Sequence, residues 1–381
     1  IDYNEYVGRI GVGKVDNGKI CVNQDVIMVN AHEPEKQKKV KISKLYEFDG
    51  LNRVEVKEAS IGSIVAISGI TDISIGDTIC TPACVEPLPF VQISAPTVEM
   101  TFAINDSPYA GREGKFVTSR QIRDRLYREL LKDVSLRVSD GASANEFRVC
   151  GRGEMHLSIL VENMRREGYE MALSTPHVIL KEEDGVVMEP VEKVYIDVPD
   201  EFSGTVIEKM GQRKGNLLDM QKKGERMHIE YEIPTRCLFG YRSEFLTDTR
   251  GEGIMNSMFD SYQPHCGEII RRFTGSLIAS ETGESTSYGV FNAQDRGIMF
   301  ISNQVDVYEG MIVGECPKVE DIAVNVCKKK HLTAIRSTGA DEALTLTPPK
   351  IMTIEEAMEF IADDELIEVT PKNIRVRKRI L

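Results

Sequence analysis

Between residues 97 and 180 the apolar positions change period in a fixed order, and that order admits few folds. Val98 to Ile104 reads as a strand. Ser119 to Asp133 then places Ile122, Leu126 and Leu130 four apart on one face, with Arg120, Arg123 and Arg128 off it, the pattern of an amphipathic helix. Val134 to Val138 and Phe147 to Cys150 are predicted strands. Gly153 to Glu167 is a second helix carrying Leu157, Leu160, Val161 and Met164, with Gly168 placed to close it in the left-handed conformation. Met171 to Leu173 begins a last strand. The order β-α-β-β-α-β is that of a split βαβ unit.

The next ninety or so residues repeat this rhythm. Val191 to Val198 is a predicted strand, Ser203 to Lys214 a helix and His228 to Ile233 a strand. A helical segment from Leu238 to Leu246, a glycine-broken Thr249 to Gly253 and a strand through Met258 and Tyr262 follow. Residues 1 to 90 instead read as all-β. Tyr6 to Val12, Val26 to Val29 and Ile61 to Ile67 are short apolar runs, and Asp16-Asn17-Gly18 suggests a hairpin turn. Pro82, Pro87, Pro89 and Pro96 mark a linker. Beyond 270 regularity falls. Ser280 to Gly289 reads as a mobile loop, and Gly297 to Ile301 as a short strand. Thr353 with Glu356 three residues on forms a capping box for a helix bearing Ile354, Met358 and Ile361. The expectation is an α+β multidomain chain: a β-barrel over 1–92, ferredoxin-like split βαβ domains over 93–182 and 183–270, and an irregular β-rich domain with at least one helix over 271–381.

A chain of 381 residues fits about three or four domains. It contains no apolar stretch near the roughly 20 residues of a membrane span and no signal segment. Its start at Ile1 suggests a fragment or cleaved product. The eight scattered cysteines read as free thiols, and Cys327 with His331 lacks a second pair of metal ligands, so no metal site is expected. A net charge of −13 excludes a uniformly basic surface but leaves room for local cation clusters. Two stand out: Lys328-Lys329-Lys330-His331 with Arg336, and Lys372, Arg375, Arg377, Lys378 and Arg379. Composition alone favours solvated charged faces for both.

Gly8 to Lys14 spells G-x-x-x-x-G-K. A phosphate-binding loop requires Ser or Thr next and a helix facing the phosphates, whereas here Val15 leads into the Asp16-Asn17-Gly18 turn. A β-hairpin is expected instead. His156, beside Glu154 at a helix start, has no nucleophile placed near it by local sequence, so no catalytic residue is assigned.

Longer segments carry a family resemblance. Asn105 to Lys115 resembles the start of domain III of elongation factor G-like proteins, and Gly151-Arg152-Gly153-Glu154-Met155-His156-Leu157 resembles a motif of the same domain. Phe239 to Phe245, followed by Gly251-Glu252-Gly253, is similar to domain V, and the first ninety residues resemble domain II. Gln294 to Gly297, Val307 to Met311, Lys329 to Thr333 and Asp363 to Leu366 resemble the terminal domain of the TypA/BipA translational GTPases. This resemblance implies a stress-associated, cytoplasmic factor, a monomer, acting in translation or large-subunit assembly. Its partners would be the ribosome, through large-subunit rRNA and the A-site tRNA acceptor end, with no membrane contact. GTP and Mg would belong to a longer protein, this chain alone being inactive. The same resemblance points to RNA contacts at Lys328, Lys329, Lys330, His331 and Arg336, and less directly at Arg213, Lys214 and Arg242. Two rivals stay open: a nucleotide-binding enzyme using Gly8 to Lys14, and a protein-interaction scaffold without RNA contact.

Overall fold

The structure, a computed structural model, describes residues 1–4, 6–90, 95–269, 272–329 and 345–380. The chain divides into two compact units, Ile1–Ala95 with Arg123–Val138, and Pro96–Ile122 with Ser139–Leu381. Mixed α/β content dominated by strands is observed, as the sequence periodicities require.

The first unit holds β1 (Asp2–Asn4), β2 (Gly8–Lys14), β3 (Lys19–Cys21), β4 (Asp25–Asn30), β5 (Glu33–Lys41), β6 (Lys44–Asp49), β7 (Asn52–Glu55), β8 (Glu58–Ser60), β9 (Ile64–Ser68) and β10 (Asp77–Cys80). They pair as β1-β2-β9-β6-β7, β10-β4-β5 and β3-β8 around a core of Val15, Val26, Ile42, Leu45, Val65, Ile67 and Ile73. Gly11 permits this packing, because a Cβ there would stand 2.4 Å from Ile73 Cδ1. The expected hairpin across residues 16–18 does not form. Gly18 does turn the chain at φ +68°, but β2 pairs with β1 and β9 while β3 pairs with β8. The backbone of Val15 is the reason: it donates to the Ser63 carbonyl at 2.9 Å and accepts from the Gly62 N–H at 2.8 Å, so the chain stays paired with the stretch before β9 rather than folding back on β3.

In the second unit β11 (Val98–Ala103), β13 (Glu146–Gly151) and β14 (Met171–Leu173) are strands, and β15 (His177–Val178) pairs beside β11. Chain order between β11 and β14 adds α1 (Ser119–Glu129) and β12 (Arg137–Asp140), both assigned in part to the first unit, and α2 (Glu154–Glu167), which is the anticipated β-α-β-β-α-β. The strand expected at Val134 to Val138 starts three residues later. α2 ends as foreseen at Gly168, with φ +101°. A second sheet is built on β17 (Val186–Pro199), with β16 (Lys181–Glu183), β18 (Asn216–Lys223), β19 (Arg226–Pro234) and β20 (Ile254–Pro264). The helices α3 (Asp200–Gln212), α4 (Thr235–Leu238) and α5 (Tyr241–Asp248) supply Val206, Met210, Cys237, Tyr241 and Phe245 to its core. The single helical segment expected from Leu238 to Leu246 is two helices, broken where Gly240 takes φ +73°.

The last stretch gives β21 (Gly275–Ala279), β22 (Gly283–Glu284), α6 (Ser287–Gln294), β23 (Ile298–Met299), β24 (Asp306–Val307), β25 (Met311–Cys316), β26 (Ile322–Val324), α7 (Ile354–Phe360), β27 (Glu365–Val369) and β28 (Ile374–Lys378). Ser280 to Gly289 is therefore not a loop throughout. Thr286 caps α6, its side chain accepting from the Gly289 N–H, and Ser285 is buried. The Thr353–Glu356 capping box is present in both directions. One continuous ladder runs β13-β11-β14-β27-β28-β25-β21-β26, so strands from 93–182 and 271–381 share a sheet. The join is Met171 opposite Val369 and Leu173 opposite Ile367. Among the described residues no helix is long and apolar enough to cross a membrane.

Candidate nucleic-acid interface

Cations can meet RNA only if internal carboxylates leave them free, so the partners of each cluster decide which is available. β28 was expected to be a solvated charged face and is not. Its alternation puts Arg375 and Arg377 on the side opposite Val376, and the stretch after β11 covers that side. Arg375 donates to Glu113 at 2.6 Å and Glu368 at 3.0 Å, while Arg377, 1% exposed, pairs with Asp106. Lys378 reaches Asp321, Asp364 and Glu365 at 2.6, 2.9 and 3.0 Å. Burial opposes its charge, but these carboxylates outweigh that and hold Lys378 above the ordinary lysine range. Glu365 also receives Arg272 at 2.9 Å, and Glu170 accepts from Asn105 Nδ2 and the Gly111 and Gly114 N–H groups. Arg375, Arg377 and Lys378 are thus internal cement, whereas Lys372 and Arg379 at either end of the cluster are exposed, as a solvated face requires.

Arg213 and Lys214 are likewise committed. The break between α4 and α5 leaves carbonyls without helical partners, and Arg213 Nη1 donates to those of Cys237 and Phe239 at 2.9 and 3.1 Å. Its Nη2 donates to Glu244 at 2.8 Å, and the guanidinium lies over Tyr241, 5.0 Å from the ring centre. Lys214, at φ +61°, donates to the Cys266 and Glu268 carbonyls at 2.7 and 3.0 Å. Arg242 is exposed and makes no hydrogen bond or ion pair among the described residues.

Lys328 and Lys329 follow β26 and are both exposed, with no carboxylate paired to either ammonium among the described residues. The backbone behind them is fixed. Thr286 N donates to the Val326 carbonyl at 2.9 Å, and Thr286 Oγ1 donates to that of Lys328 at 2.5 Å. A Cβ on Gly289 would stand 2.1 Å from the Val326 oxygen, so only glycine lets α6 approach so closely. Lys330, His331 and Arg336 lie outside the described residues, as does one half of the Cys327–His331 pair. Burial raises the Cys327 thiol. Sequence reasoning overlooked Thr286, and it marked Gln294 only as part of a family-like segment, with no role for its side chain. A capping box would have flagged the first, but the residue three positions on is Gly289 rather than Glu or Gln.

The nucleotide reading of Gly8 to Lys14 does not fit this geometry. The segment is a strand laddered on both sides, to β1 and β9, and Lys14 pairs with Asp16 at 3.2 Å. Its N–H groups form no cradle for phosphates, and the next helix among the described residues begins at Ser119.

The TypA/BipA C-terminal domain model matches residues 274–381. That for the elongation factor G C-terminus matches 186–273, and that for elongation factor Tu domain 2 matches 8–80. The large ribosomal subunit assembly factor BipA of Bacillus subtilis (strain 168) is 49% identical over all of this chain and 62% of its own length. The proteins of the same description from Synechocystis sp. and Escherichia coli (strain K12) are 49% and 47% identical, over 99% and 100% of this chain and 63% of their own lengths. The chain thus spans less than two thirds of these relatives. A solved chain from Thermus thermophilus has a TM-score of 0.44 at 15% identity, covering 68% of this chain and 54% of its own. Identity sustained from end to end, with the terminal-domain match at 274–381, shows that this chain belongs to the TypA/BipA family.

Proposed function

We propose that this chain is the ribosome-binding portion of a translational GTPase acting in large-subunit assembly, and that Lys328 and Lys329 contact rRNA or the acceptor end of an A-site tRNA. The observation that carries this reading is a contrast within one charge inventory. The cations of β28 are engaged by internal carboxylates, whereas Lys328 and Lys329 are exposed and unpaired among the described residues. On a chain of net charge −13, such a site gives local attraction to phosphates without general adhesion to nucleic acid. The relatives' description as large ribosomal subunit assembly factors supplies the partner. Arg242 is a secondary contact in this proposal. Arg213 and Lys214 brace the 235–268 region and reach RNA only by giving up internal bonds. The division into a barrel-type domain, two ferredoxin-like domains and a terminal domain is part of the same reading. So are a cytoplasmic setting, a monomeric state, and GTP with Mg bound by the longer protein.

Cosedimentation with isolated large subunits tests it. Lys328→Glu with Lys329→Glu should weaken binding at least ten-fold. Neutral Lys328→Ala with Lys329→Ala should reduce the slope of log affinity against log salt by about 0.7–0.9 for each phosphate that is no longer neutralised. Affinity unchanged in both variants across the salt series sinks the proposal.

A further inference from the structure

We propose that α6 is a two-point clamp that fixes Lys328 at one end and the Thr345–Thr347 backbone at the other. At the start of the helix, the Thr286 hydroxyl makes two bonds. It accepts from the Gly289 N–H at 2.9 Å, the ordinary N-cap bond, and it donates to the Lys328 carbonyl at 2.5 Å. The cap needs only the first. At the other end, Gln294 closes the helix, and its side-chain amide turns to a second strand of chain. Oε1 accepts from the Thr347 N–H at 3.0 Å, and Nε2 donates to the Thr345 carbonyl at 3.1 Å. An N–H and a C=O two residues apart are what one primary amide can satisfy together.

Eight steps of α-helix separate Thr286 from Gln294, so the gripped ends are held about 12 Å apart along the axis. Seventeen steps of chain run from Lys328 to Thr345, enough to span up to about 56 Å, so chain length alone sets no such spacing. Val290 and Ala293 are 2% and 3% exposed, and Gly289 lies against the Val326 carbonyl, which fixes the helix to the core beneath. The clamp therefore transfers the rigidity of the core to Lys328 and to the returning Thr345–Thr347. Its relevance to RNA rests on the reading proposed above.

Variants can separate gripping from capping. Thr286→Asp keeps an acceptor for the Gly289 N–H but has no donor for Lys328, and Gln294→Leu removes both bonds to the returning chain. The double variant should raise the rate of tryptic cleavage after Lys328 and Lys329, and weaken large-subunit binding, each by about ten-fold, the loss expected when several hydrogen bonds of modest net strength disappear. Its melting temperature should stay close to that of the parent chain, and Thr286→Ser should behave as the parent in all three measurements. Unchanged cleavage overturns the clamp whatever the binding does. If Lys328→Ala with Lys329→Ala weakens binding while the clamp variant binds normally, the clamp is overturned and the RNA reading stands. If neither set alters binding, both are lost.

Discussion

Single residues show how side chains of the same charge take opposite roles within residues 274–381. Arg377 and Lys329 are both cations in charged runs, yet one is buried against Asp106 and the other is exposed. Removing one partner of a buried pair strands the other: Arg375 is largely buried against the fully buried Glu368, so Arg375→Ala should destabilise the chain by about 3 kcal/mol in urea unfolding. A loss below about 1 kcal/mol would show that the pair behaves as a solvated surface pair. Carboxylates at these sites also make stability depend on pH. Burial alone would raise Glu113, Glu244 and Glu365, but their cationic and hydrogen-bonding partners win and hold each below the ordinary 4.5. Depressed folded values mean that the unfolded chain takes up protons first on acidification. This stabilisation is complete above 4.5 and drains away as pH falls through the lower folded values. Melting temperature should therefore drop steeply below that pH, and Glu113→Gln should flatten the drop while lowering stability at neutrality. An equally steep acid limb in the variant would remove Glu113 from this account.

At the scale of elements, local signals succeeded where the residue itself closes the structure. Gly168 ends α2 because a left-handed C′ position suits glycine, and Thr353 starts α7 through a box of two reciprocal bonds. Thr353→Ala should cost about 1 kcal/mol, while Thr353→Ser should be near neutral by thermal melting. Equal effects from the two would deny the cap its role. Signals failed where an element depends on a distant neighbour. All of β18, from Asn216 to Lys223, is exposed, so it shows no clear alternation, and pairing with β19 alone makes it a strand. β5 escaped for a similar reason. Its Lys36, Lys38, Lys39 and Lys41 look like loop composition, but they suit an edge strand, where charge discourages pairing with other chains.

For the whole molecule, the consequential feature is the ladder that joins β14 to β27. Backbone bonds across that seam tie residues near 171 to residues near 369, and Glu113–Arg375 ties the same regions through side chains. Cooperative units defined by shared ladders open together. The amides of β11 and β28 should exchange with similar protection, and replacing Ala172 by Pro should lower both. Protection lost in β28 while β11 is unaffected would mean that the seam carries no cooperativity.

Sequence alone determined the alternation of strands and helices, the helix ends at Gly168 and Thr353, and the family to which 274–381 points, because these depend on short-range periodicity and on motifs read in order. It also brought forward Lys328 and Lys329 as candidates. Only the tertiary structure decided which cations are available, since pairing Arg375 with Glu113 or Lys378 with Asp321 joins residues that no local pattern connects. The same holds for the grip of α6 on Lys328 and Thr347, which is made by side chains whose partners lie more than forty positions away. Charge is written in the sequence, but whether a charge is paired or free is fixed by what folds against it.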